Sequence, residues 1–259
     1  MVSRFTLPSE PLGREVSVLV WQPEGRAERP LPVLYMYDGG VVFRSGADGF
    51  DLPGYATAHP GGVPPVLVVG IEPPRDRWRR TAEFAPYTKA FDTHGADFEP
   101  LVRGRGEALL RWLLGDLKPW VDARFPTDPA DAAVGGMSSG ALNAMYGAMR
   151  YPGAFRRLLL HGPAFNLWLP ELLNTAAGAS FADLRYCYMD IGTEDATRMS
   201  AKADTMASAL RMRDELLARG MNEAGLCFRV IPGGTHSPAT WRETFPHALR
   251  WIYQDHIVR

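Results

Sequence analysis

The sequence predicts an α/β protein with a mainly parallel central sheet and helices on both faces. Three observations carry this prediction. Short continuous apolar runs alternate along the chain with segments of helical periodicity. The runs have strand length and end in Gly, Pro or Asp, as where Leu31 to Tyr37 meets Asp38-Gly39-Gly40. Gly136-Met137-Ser138-Ser139-Gly140 lies between one such run and a helix-forming segment, the setting of a tight strand-to-helix elbow.

The elements follow in chain order. Arg14 to Trp21 alternates in the manner of an outer strand, and Leu31 to Tyr37 and Val66 to Ile71 read as buried strands. Glu107 to Ala123 carries Leu109, Leu110, Leu113, Leu114, Leu117 and Val121 at helical spacing, with an interruption near Pro119. Asp131 to Val134 leads into the elbow, and Ala141 to Met149 forms the helix after it. Phe155 to Leu160 is a strand broken by Gly162-Pro163, and Tyr186 to Ile191 is another, ending at Gly192. Ala203 to Arg219 is a helix stopped by Gly220. Leu226 to Ile231 is the last strand, and Ser237-Pro238 opens a final helix toward Gln254 as cap and first-turn proline. The stretches 39–65, 72–102 and 161–185 show no clear periodicity and follow strand ends, where α/β sheets build their sites. Without repeats or a linker, the 259 residues are read as a single domain.

Bulk properties narrow the function. Apolar residues make up 46% of the chain and charged residues 22%, which suits a globular protein with a sizeable core. A formal net charge of −1 gives no electrostatic reason to expect nucleic acid or an anionic membrane as partner. No run reaches membrane-spanning length, and the first residues lack the apolar region of a secretory leader, so the expected location is the cytoplasm. Cys187 and Cys227 each fall within a predicted buried strand and are expected to be free thiols.

The elbow carries the chemistry. Ser138 has glycines two residues to either side, which relieve the crowding of a sharp turn. Ser139 lacks that spacing, because Met137 stands where its first glycine would be. A serine hydroxyl needs a base, and histidine suits the task because its pKa lies near working pH. A carboxylate then fixes the imidazole tautomer. In α/β hydrolases these groups occur in the order serine, acid, histidine. His236, after the last strand, fits as base; His161 is its strongest rival, and His59, His94, His247 and His256 are less well placed. Asp195, after the strand from Tyr186 to Ile191, is the favoured acid, with Glu194 and Asp190 as alternatives. The oxyanion donors are expected to be Ser139 N–H and a second N–H from Gly40 or Val41.

Several segments resemble the putative-esterase group of α/β hydrolases, which includes esterase D, feruloyl esterases and enterochelin esterases. They are Val33-Leu34-Tyr35-Met36-Tyr37-Asp38-Gly39-Gly40, the elbow with Val134-Gly135 before it, and Gly233-Gly234-Thr235-His236 with Trp241 and Trp251-Ile252-Tyr253 beyond. Val69-Gly70-Ile71 followed by Arg80-Thr81-Ala82-Glu83 is similar to a further family stretch. The resemblance spans roughly residues 12 to 254. It implies an α/β-hydrolase fold, a triad of Ser138, Asp195 and His236, and no metal or other cofactor. The implied partner is a small-molecule ester. Acyl transfer to an alcohol, as in mycolyl-transferase relatives, and an inert binding module are the alternative functions.

Phe43, Phe50, Trp78, Phe165 and Trp168 fall in loops expected to ring a pocket, where they suit an aromatic or hydrophobic acyl group; plain packing explains them nearly as well. Arg75-Asp76-Arg77-Trp78-Arg79-Arg80 reads first as a solvated surface, and Arg80 and Glu83 are spaced to pair with each other.

Overall fold

The computed structural model describes residues 1–23, 29–91, 101–197 and 199–257. Its eight-stranded sheet comprises β1 (Val2–Ser9), β2 (Arg14–Trp21), β3 (Leu31–Tyr37), β4 (Leu67–Ile71), β5 (Thr127–Met137), β6 (Arg157–His161), β7 (Tyr186–Glu194) and β8 (Leu226–Thr235). The spatial order is β1-β2-β4-β3-β5-β6-β7-β8. Only the β1–β2 and β2–β4 pairs are antiparallel. Every strand from β4 across to β8 is parallel to its neighbour, so their carboxyl ends share one edge.

The continuous apolar runs are explained by burial on both faces. Successive residues of β3 point to opposite sides: Leu31, Val33, Tyr35 and Tyr37 enter one core cluster, whereas Leu34 and Met36 enter the other. The first cluster is closed by α4 (Gly106–Trp112), α5 (Lys118–Asp122), α6 (Ser139–Arg150) and α8 (Lys202–Ala218). The second is closed by α9 (Pro238–Ile252) together with α1 (Gly39–Phe43) and α2 (Leu52–Ala58). Two further helices, α3 (Arg77–Phe84) and α7 (Leu169–Ala176), follow strand ends in segments without legible periodicity. Each fully buried Val or Leu in these clusters contributes about 1.5–3 kcal/mol.

Several expectations need correction. The strand β2 is second from the edge, because β1 pairs along its whole length. That outer strand carries no legible signal because seven of its eight residues alternate unevenly between half-buried and exposed positions without a run of apolar side chains. The interruption before Pro119 is a π-helical turn, Leu113–Leu117, linking α4 to α5; proline lacks the N–H that a regular α-helical ladder requires there. Ser237 does stand at the start of α9, but its side chain makes no capping bond and its oxygen lies 2.9 Å from Thr235 Oγ1. Cys187 is buried, Cys227 is half-buried, and both are free thiols. Their registers place Cys187 beside Leu226 and Cys227 beside Tyr188, so the pleat turns the two thiols to opposite faces of the sheet. Among the described residues no helix is long and apolar enough to cross a membrane.

At the amino edge of the sheet, the fully buried Arg157 clamps the chain terminus to the strands. Its Nε and Nη2 donate to Asp131 at 2.7 and 2.5 Å, and Nη1 donates to Asp255 at 2.7 Å and to the Ile252 carbonyl. His256 Nε2 lies 2.8 Å from Asp131. Burial alone would raise the Asp131 pKa, but hydrogen bonds from His256 and Arg157 outweigh it and hold the carboxyl well below the usual carboxylate range. A depressed folded-state pKa stabilises the fold above the unfolded carboxyl pKa, and that contribution is lost as pH falls through the folded value. We therefore expect stability measured by urea unfolding to fall below about pH 4, and Asp131→Asn to weaken that dependence. Arg157→Met, which strands two carboxylates, is expected to cost about 3–5 kcal/mol in the same measurement at neutral pH.

Candidate active site

β5 delivers Ser138 to the carboxyl edge of the sheet in a conformation that a serine rarely adopts, φ 55° and ψ −118°. Such a residue costs on the order of 1–3 kcal/mol and persists only where its surroundings hold it. Here the main chain is pinned on both sides. Ser138 N–H donates to the His161 carbonyl at 2.9 Å, and the Ser138 carbonyl accepts from Leu142 and Ala164 N–H at 3.1 and 3.2 Å. The flanking glycines answer a steric need that is absolute at Gly136 and milder at Gly140. A methyl group at Gly136 would lie 2.6 Å from the Gly140 carbonyl carbon, and one at Gly140 would lie 3.1 Å from Tyr37 Cβ. The turn therefore excludes a side chain at Gly136 and leaves little room for one at Gly140.

His236 follows β8, whose pairing with β7 slips between Ile231 and Thr235. The slip is fixed by Gly233, at φ 70°, whose N–H donates to Thr193 Oγ1 at 2.9 Å. It brings His236 Nε2 to 2.8 Å from Ser138 Oγ. The other ring nitrogen, Nδ1, lies 2.8 Å from Asp195 Oδ1, and Asp195 is only 1% exposed. Nδ1 bearing the proton, donated to Asp195, leaves the Nε2 lone pair facing the serine hydroxyl. This assignment of the tautomer follows from the hydrogen-bond pattern.

The alternatives lie elsewhere. Glu194 is exposed and pairs with Lys202. Asp190 is buried within the sheet, where it accepts from His161 Nδ1 at 2.8 Å, Thr244 Oγ1 at 2.7 Å and Tyr188 Oη at 3.1 Å. His161 thus faces into the protein under the elbow and reaches the serine only through its main-chain carbonyl. His59 stacks on Tyr55, His247 packs against Tyr188, and His256 belongs to the Arg157 clamp at the opposite edge. His94 lies outside the described residues.

A cavity of about 240 Å³ opens above Ser138, Ser139 and His236. Trp78, Leu167 and Met199 form apolar wall; Arg77, Asn166 and Ser200 add polar groups. Of the aromatic residues expected to ring the pocket, only Trp78 lines it. Phe165 and Trp168 are 0% and 2% exposed and join the first core cluster; Phe43 packs on the second, near Gly70; Phe50 stacks on Phe245. Sealing the sheet faces takes these rings away from the cavity, as packing alone would favour. Asn166, Thr197, Ser200 and Thr205 were not anticipated. Their common signal is position after the carboxyl ends of β6 and β7; neither spacing nor residue type distinguishes them.

The loop after β3 is held by charge. Asp38, at φ 57°, accepts both Nε and Nη2 of Arg80 at 2.6 and 2.7 Å. Burial works against the Arg80 guanidinium, but the Asp38 charge prevails and raises its pKa. Glu83 pairs with Arg14 instead of with Arg80, so the two members of that helical pair have separate partners. Gly39 is required by close approach, since a methyl group there would sit 2.3 Å from Gly70 Cα. Val41 N–H donates to the Asp38 carbonyl at 2.9 Å, and Gly40 N–H donates to the Glu72 carboxylate. Ser139 N–H begins α6 and stands outside its intrahelical ladder, beside the cavity.

The pattern of the family described as "Putative esterase" matches residues 9–252. A siderophore triacetylfusarinine C esterase of Aspergillus fumigatus is 24% identical over 173 residues, which are 64% of this chain and 55% of that protein. The chain therefore spans about half the length of this curated relative. The BES protein from Bacillus cereus superposes with a TM-score of 0.76 at 18% identity, covering 97% of this chain and 95% of that one. The ferric enterobactin esterase of Salmonella typhimurium gives the same TM-score and identity over 99% of this chain and 59% of its own. At these identities the structural matches show the α/β-hydrolase fold alone.

The geometry predicts which side chains govern reaction with a fluorophosphonate probe. Ser138→Ala should abolish labelling, whereas Ser139→Ala should retain it. Asp195→Asn should slow labelling by at least about tenfold, and Glu194→Ala should leave it within about twofold, as gel fluorescence against time would show.

Proposed function

The chain belongs to the putative-esterase family, and from that membership we propose a serine hydrolase that cleaves carboxylic esters through an acyl-enzyme. The observation that carries the reading is the unbroken line from Ser138 Oγ through His236 to Asp195, with both contacts at 2.8 Å. Ser138 Oγ attacks the ester carbonyl as His236 Nε2 takes its proton. The imidazolium that forms is stabilised by Asp195 through Nδ1. It then returns the proton to the departing alkoxide, which leaves as the alcohol. Water, deprotonated by the same nitrogen, attacks the acyl-serine and releases the acid. No cofactor enters these steps.

Negative charge on the carbonyl oxygen is met by Ser139 N–H and by Gly40 N–H, the latter once the Glu72 carboxylate has moved off it. Each donor supplies about 3 kcal/mol of transition-state stabilisation. Val41 N–H already closes a turn on Asp38 and is the less suitable second donor.

Two of the three named relatives are described as esterases of triacetylfusarinine C, a siderophore, and of ferric enterobactin, and we extend that class of iron-chelating ester to this chain. Trp78 and Arg77 at the cavity wall suit an aromatic, anionic ligand. Stopped-flow hydrolysis of p-nitrophenyl butyrate should show a burst equal to the enzyme concentration. Ser138→Ala should lower the steady rate by about 10³-fold or more. Parent-like turnover in that variant would end the proposal. Chromatographic assay of triacetylfusarinine C and enterobactin as substrates tests the siderophore assignment separately.

A further inference from the structure

Asp195 presents an anomaly. Its Oδ1 serves His236, but its Oδ2 is buried and has no hydrogen-bond partner among the described residues. A carboxylate oxygen removed from water without a donor is costly, and it leaves the group free to rotate. The indole N–H of Trp241 lies nearby but makes no hydrogen bond to it in this geometry. A methyl group at Gly162 would lie 2.9 Å from Trp241 Nε1 and 3.0 Å from Asp195 Oδ2, so indole nitrogen and carboxylate oxygen close over the same glycine. Gly162 itself is at φ 46°.

The same indole touches the base. Its ring meets the His236 imidazole edge-on, with centroids 5.1 Å apart and planes at 84°. Trp241 is only 6% exposed and lies in the first turn of α9. That turn is fixed from below: Thr244 Oγ1 lies 3.2 Å from the Trp241 carbonyl and donates to Asp190 at 2.7 Å. Asp190 also receives Gly162 N–H on its carbonyl at 3.0 Å. One buried residue, Asp190, thus holds the glycine directly and the tryptophan through Thr244.

We propose that Trp241 is a positioning residue for the hydrolytic reaction, bracing the His236 ring and offering its indole N–H to the free oxygen of Asp195 as the imidazolium forms. The inference rests on the hydrolase reading. It adds a residue that touches neither the serine nor the substrate. Without the N–H, that oxygen has no donor when the imidazolium forms, and the carboxylate is held only through Oδ1. Without the ring, the imidazole tilts away from Ser138. Both losses fall on the chemical step and spare ground-state binding.

The test compares the parent with Trp241→Phe, which keeps an aromatic ring and removes the donor. Active sites are titrated with a fluorophosphonate, kcat and KM are measured with p-nitrophenyl butyrate, and the low-field proton resonance of His236 Nδ1–H is recorded. The expected result is kcat per titrated site about five- to twentyfold lower, KM within about twofold, and a shifted or broadened resonance at parent-like melting temperature. A parent-like kcat per site with an unchanged resonance would overturn the proposal. If Trp241→Phe fails to fold, Gly162→Ala, which wedges the indole from Asp195, must show the same changes or the proposal falls. If the parent shows no Ser138-dependent turnover, the hydrolase reading fails. The resonance comparison then still decides whether Trp241 steadies the pair.

Discussion

The hydrogen bond between Ser138 Oγ and His236 Nε2 joins residues 98 positions apart, and the surrounding structure depends on that meeting. Neither partner reaches the other by local preference. Ser138 is held at a positive φ, which is tolerated only because Gly136 and Gly140 let β5, α6 and the end of β3 approach within van der Waals distance. His236 is displaced from the regular course of β8 by a register slip, which Gly233 permits. Parallel strands put both carboxyl ends at one edge, as this family of sheets does at its sites. The close-packed glycines turn that approximate neighbourhood into a 2.8 Å contact.

The two edges of the sheet use charge differently. At the amino edge, Arg157 is saturated by Asp131, Asp255 and a main-chain carbonyl, an arrangement in which every charge has a partner and whose effect is mechanical. At the carboxyl edge, the Arg80–Asp38 pair fixes the loop after β3 with Arg80 also bordering the cavity, and the line from Ser138 to His236 faces the same cavity. Satisfied pairs hold the frame, and an incompletely satisfied carboxylate, Asp195, lies behind His236. Incomplete satisfaction of this kind gathers at functional sites, where strain and polarity serve the reaction.

Much of this was legible in the sequence because the relevant signals are local. Buried parallel strands read as apolar runs, so Leu31–Tyr37 was bounded correctly from residue type alone. The glycine spacing around Ser138 reports a steric need that the sequence must meet within five residues. The place of Asp195 after a strand favours it over Glu194 and Asp190 as the partner of a histidine, and its Oδ1 lies 2.8 Å from His236 Nδ1. Features that depend on distant partners were not legible. Arg80 and Glu83 look like a helical pair, yet Asp38 and Arg14 arrive from other strands and take one each. Phe165 and Trp168 look like pocket aromatics, and only tertiary packing shows that the core claims them. The edge strand Val2–Ser9 carries no apolar run because only part of it is covered.

The central claim is that Ser138 carries the acyl group between two half-reactions, and peptide mass spectrometry tests it most directly. The protein would be mixed briefly with p-nitrophenyl butyrate, quenched in acid and digested. The account predicts a butyryl adduct on the peptide containing Ser138, lost in the His236→Ala variant. Steady turnover with no adduct on that peptide, or an adduct confined to another nucleophile, would contradict it.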